Sequence, residues 1–109
     1  MDIGLAKQIF ATYEKHGWIL RRVLDASLTE TTRQALAEAF PSAPVTRAEI
    51  DAFWFARPSH ASREAWELRL IAEEPYALFE AFEADESEED REEARLEMEN
   101  KMREYAVKK

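Results

Sequence analysis

The chain has no cysteine. Disulfide staples, thiolate zinc sites and cysteine nucleophiles are therefore excluded, and a reducing compartment is the natural expectation. Glycine is nearly as scarce, with only Gly4 and Gly17. Phosphate-cradling loops need several glycines at fixed spacing so that backbone N–H groups can close on the anion. Neither a dinucleotide fingerprint, nor a Walker loop, nor a G-x-S-x-G elbow is present. The two histidines, His16 and His60, have no H-x-x-x-H spacing, so a metal site would depend on carboxylates from elsewhere. No metal and no cofactor are expected. Basic charge is also short: 15 Lys and Arg stand against 23 Asp and Glu, a formal net charge of −8. That balance disfavours nucleic acid, whose phosphates are bound by clustered cations, and equally an anionic membrane surface. No apolar run approaches the roughly 20 residues of a spanning helix. The start, Met1 to Lys7, lacks the basic and apolar regions of an export signal, which points to the cytoplasm.

What is present suits one ordinary domain, residues 1–109. With 46% apolar and 11% aromatic residues the chain can bury a single core, although its 35% charged fraction gives a wet exterior. The periodicities predict an α+β fold: a small four-stranded, largely antiparallel sheet in the element order α-β-α-β-β-β-α, with helices packed on it and a long, highly charged C-terminal helix.

The first helix is expected over Ile3–His16, capped by Asp2 and closed by Gly17, with Leu5, Ile9 and Tyr13 on one stripe. Trp18–Asp25 reads as a strand whose faces, Trp18-Leu20-Arg22-Leu24 and Ile19-Arg21-Val23-Asp25, each mix apolar and charged residues. Ser27 and Glu30 fit a capping box before a short helix that ends at Pro41. Pro41–Thr46 reads as an irregular linker. In the central strand Ile50, Ala52, Trp54 and Ala56 face one way, and Asp51, Phe53, Phe55 and Arg57 the other. A loop at Arg57–Arg63 leads to a cleaner strand, Glu64–Ile71, with Trp66, Leu68 and Leu70 on the dry side and Glu67 and Arg69 on the wet one. Tyr76–Ala84 is compatible with strand or helix, and a strand that serves as hairpin partner to Glu64–Ile71 is expected. Glu86–Tyr105 has no Gly or Pro, acids at its start and bases at its end. It forms a helix with a thin seam of Ala94, Met98, Met102 and Tyr105, and with Leu96 on another side.

Candidate sites follow from these elements. The run Asp85–Glu93 holds seven acids but no glycine for a calcium loop, so a solvated helix start is the simpler reading. Ser59 and His60 are adjacent without an oriented base or oxyanion donors, and no catalytic residue is assigned. Arg57, His60, Arg63 and Arg69 could form an anion patch beside Trp54 and Trp66, unless the arginines pair with Asp51, Glu64 and Glu67. Both faces of the central strand are apolar, and the sequence visibly supplies one cover. The leading expectation is therefore a non-enzymatic interaction or regulatory domain that forms a two-fold homodimer through the sheet face or edge carrying Phe53 and Phe55, with Trp18 nearby. An unknown protein partner could cover the same face. The alternative is a binding domain for a small anionic ligand, with an aromatic pocket.

Overall fold

A computed structural model describes residues 1–27 and 29–108. Leu28, in the cluster expected to start the second helix, and Lys109, at the basic end of the last, lie outside the described residues. Along the chain come α1 (Ile3–Lys15), β1 (Ile19–Asp25), α2 (Glu30–Ala39), β2 (Val45–Arg47), β3 (Ala52–Pro58), β4 (Glu64–Leu70), β5 (Ala77–Phe82) and α3 (Glu88–Val107). The class is α+β, but the sheet has five strands rather than four, in the order β2-β1-β3-β4-β5. β2 is the addition. It runs parallel to β1, whereas the other pairings are antiparallel. It overlaps the segment expected to be irregular, because Pro44 needs only its carbonyl, which accepts from the Val23 N–H at 2.9 Å. Val45–Arg47 then pairs with Val23–Asp25. A strand of three residues has no periodicity of its own, and the open edge of β1 decides its conformation.

The ends of the first helix follow local chemistry. Asp2 Oδ1 accepts from the Leu5 N–H at 3.0 Å, and Gly17 closes the helix at a φ of +83°, where a side chain would be strained. α2 departs from the expected capping box. Thr29 is its cap, the hydroxyl accepting from the Thr32 N–H at 3.1 Å, and Ser27 lies too early in the chain to reach.

β3 occupies the middle of the sheet, and both its faces are closed by this chain. On one side Phe53 and Phe55 are 0% exposed beneath α1 and α2, in a cluster with Ala6, Ile9, Leu36 and Phe40. Phe40 meets Phe53 edge-on with centroids 5.1 Å apart, and Tyr13 stacks on Phe55 at 4.2 Å. On the other side Trp54, Trp66, Leu68 and Phe82 pack beneath Met98 and Met102 of α3. Leu96 points away and is exposed, so the seam of α3 is the one its sequence suggests.

These contacts correct the ground for self-association through Phe53 and Phe55, since their cover comes from their own helices. Trp18 is half-buried beside α1, with Tyr13 at 6.1 Å and the Arg57 guanidinium 4.3 Å above its ring. The expected wet side of β4 is partly covered too, where the Tyr13 hydroxyl donates to Glu67. Among the described residues, no helix is long and apolar enough to cross a membrane.

If Met98 and Met102 hold α3 to the sheet, Met102→Ala should cost about 2–5 kcal/mol, the usual range for emptying a buried aliphatic site. Leu96→Ala on the outer side should stay within about 0.5 kcal/mol. Urea unfolding of the two variants measures the contrast, and equal losses would place the seam elsewhere.

Candidate functional site

Strict alternation would send Arg21 and Arg22 to opposite faces of β1. The strand does not alternate strictly. Leu20 pairs with Phe55 and Arg22 with Trp54, so the register shifts and Arg21 is the extra residue of a β-bulge. Arg22 thus shares the Trp54 face, and the Arg21 guanidinium lies 5.5 Å from the Trp66 ring on that same face. The bulge also separates the mixed faces of the sequence, as Leu20 and Val23 enter the α1–α2 core while Leu24 joins the α3 core.

The two arginines form one wall of a cleft of about 380 Å³. Trp54, Glu64 and Trp66 form its floor, and Glu88, Arg91 and Arg95 descend from α3. The tryptophan rings meet edge-on at 5.9 Å. Their N–H groups are satisfied by carboxylates: Trp54 donates to Glu99 at 2.8 Å and Trp66 to Glu64 at 2.6 Å. Four arginines in one cleft of an acidic protein concentrate positive charge where the walls are partly dry.

The arginines on α3 are engaged within the chain. Arg95 lies 4.5 Å from the Trp66 ring centroid and donates to Glu92 at 2.8 Å and to Glu88. Burial disfavours its charge, but Glu92 and Glu88 outweigh that penalty and raise its pKa. Arg91 donates to the Glu83 carbonyl at 2.8 Å and approaches Glu64 at 3.3 Å, while its Nε is buried with no hydrogen-bond partner among the described residues. Arg21 and Arg22 differ. Among the described residues neither forms an ion pair, with Arg22 half-buried and Arg21 exposed at the mouth.

The sequence expected a different cationic set, and the fold disperses it. Arg57 donates to the His16 carbonyl at 2.6 Å and covers Trp18. Arg63 grips Glu83 through Nε at 2.9 Å, and Arg69 donates to the Leu70 carbonyl on the α1 side of the sheet. His60 sits exposed in the β3–β4 loop. The acids named as their partners are occupied elsewhere: Asp51 accepts from the Ala26 N–H, Glu64 from Trp66 and Arg91, and Glu67 from Tyr13. Of the six residues expected to bind a ligand, the cleft contains Trp54 and Trp66. Arg21, Arg22, Arg91 and Arg95 were missed. The available signal was the failure of either alternating register in β1 to separate arginines from aliphatics.

A second polar feature lies at the end of β1. Asp25 is fully buried, and neither carboxylate oxygen has a hydrogen-bond donor among the described residues. Burial raises its pKa above the ordinary 3.8, the neighbouring Asp51 carboxyl raises it further, and the Met1 amino group 3.7 Å away pulls it back in part. This acid does not line the cleft. Comparison with protein-family models, with curated proteins and with solved structures yields no match.

A carboxyl whose folded-state pKa exceeds its unfolded one contributes its stability below the unfolded value and loses it as the pH rises through the folded value. Asp25→Asn removes that titration, so the variant should gain on the parent as the pH climbs from about 4 to 7. Thermal unfolding across that range measures the difference, and a constant or shrinking gap would contradict a raised Asp25 pKa.

Proposed function

We propose that the protein binds a small polar anion bearing a carboxylate or phosphate group, held between β1, the tryptophan floor and the first half of α3. The observation that carries this reading is the bulge that turns Arg21 and Arg22 into one cleft, with no ion pair to either among the described residues. A guanidinium offers its N–H donors in a planar fork matched to two oxygens of a carboxylate or phosphate, and adjacent forks favour such groups over a simple halide. The cleft volume lies at the small end of the range for ligand sites, and its lining is mostly charged. A compact, strongly polar ligand fits that description better than a broad aromatic one, because arginines already lie over the Trp66 ring.

The reading is binding without catalysis. The lining provides guanidinium groups and carboxylates, with neither a histidine nor a hydroxyl or thiol nucleophile among its residues. Glu88 lies at the mouth on Arg95 and stands where a ligand carboxylate would otherwise go. Binding therefore competes with a carboxylate of the chain itself, which sets a modest affinity and excludes weakly charged solutes.

Tryptophan emission provides the test. In a Trp18→Phe background, Trp54 and Trp66 are the remaining reporters, and titration with citrate and with pyrophosphate should give a saturable change that weakens with added salt. Arg22→Ala should raise the dissociation constant about tenfold or more, since a hydrogen bond to a charged group contributes about 1.5–3 kcal/mol. Binding that persists unchanged in the Arg21→Ala, Arg22→Ala double variant would overturn the proposal, as would no saturable change with either probe.

A further inference from the structure

β5 is the last strand of the sheet and pairs only with β4, so the backbone groups along its outer edge have no strand partner. An open edge of this kind is a template for another extended chain, and proteins usually blunt it with lysine, proline or a bulge. Within Ala77–Phe82 there is no lysine and no proline, and its pairing with β4 runs without a shift in register. The strand is instead apolar on the side facing away from α3. Ala77, Phe79 and Ala81 are exposed there, Phe79 to 60%. Their β4 neighbours are Arg69, Glu67 and Ala65, so this side lies beyond the phenylalanine core that α1 and α2 cover.

Charge decides between occupants. Exposed carboxylates stand before the strand at Glu73 and Glu74, within it at Glu80 and after it at Asp85. A second copy of this chain is a poor fit. An antiparallel dyad centred on Glu80 sets the two Glu80 carboxylates face to face. One centred on Phe79 brings Asp85 of one copy toward Glu73 of the other, between molecules that each carry a formal charge of −8. A cation-rich strand meets opposite charge at both ends and in the middle.

We infer that the outer edge of β5 docks an extended, cationic segment of another protein, which adds a strand to the sheet and lays an apolar side chain against Phe79. Main-chain hydrogen bonds give such a contact its affinity, and the alternation of side chains gives it specificity. The inference is independent of the anion cleft, which opens on the α3 side of the sheet.

A blocked peptide of about six alternating lysine and valine residues, long enough to match a typical strand, is the probe. Its amide-shift perturbations should fall on residues 77–82, and β5 amides should gain protection from hydrogen exchange. Added salt should weaken binding. Phe79→Lys, a change at an exposed position that leaves the core intact, should weaken it tenfold or more. The same peptide N-methylated at every residue keeps its charge but loses the main-chain donors of both edges, and it should not bind. Equal affinity of the methylated peptide would reduce the contact to charge attraction and overturn the inference. So would perturbations centred on the acidic first turn of α3, unchanged binding by the Phe79→Lys variant, no binding of the peptide, or a concentration-dependent dimer with protection at β5.

Discussion

Phe53, Trp54 and Phe55 follow one another in a strand, so their side chains must leave the sheet on alternate sides, and all three are dry. A strand with large aromatic groups on both faces can exist in water only if each face is covered. The rest of the architecture answers that requirement. α1 and α2 close over the phenylalanines with a predominantly apolar contact. α3 closes over the tryptophan with a helix that is charged nearly all round, whose apolar grip reduces to two methionines and the small or aromatic residues flanking them.

The cleft is a consequence of that unequal covering. Met98 and Met102 seat the middle and C-terminal half of α3, where Tyr105 stacks flat on Tyr76 at 3.6 Å. Toward its start the helix faces Trp66 and Phe82 with Arg91 and Arg95, whose bulk and charge keep an open space above the tryptophan floor. Acidic residues in the first turn suit the positive end of the helix dipole, and one of them, Glu88, together with Glu92 one turn on, holds Arg95. Arg21, Arg91 and Arg95 lie over aromatic rings, and Arg21 and Arg22 form no ion pair among the described residues, so the same set of side chains supports the fold and lines a polar cavity.

Charge is unevenly distributed in a way that the net value hides. Carboxylates dominate the exterior of α3 and the approaches to β5, and guanidinium groups converge on one cleft beneath it. The proposed ligand and the proposed partner accordingly carry opposite signs, and one meets the α3 face of the sheet while the other meets its outer β5 edge. The buried Asp25, close to Asp51, is a third local exception, a titrating group enclosed where the core could have been apolar.

Much of this protein was legible in its residues. Helix caps at Asp2 and Gly17, period-two alternation in β3 and β4, the hairpin partner at β5 and the methionine seam of α3 all arise from interactions within a few residues of one another. They were therefore readable from spacing. Three features were not. β2 exists because β1 offers an edge to it, α1 and α2 together close the phenylalanine face that was expected to be left for self-association, and a bulge in β1 moved two arginines onto the tryptophan face. Each depends on which segments meet in space, and contacts between distant segments leave no period in the sequence. Local chemistry determined the pieces and their polarity; tertiary packing decided which faces closed and which side chains were left to line a site.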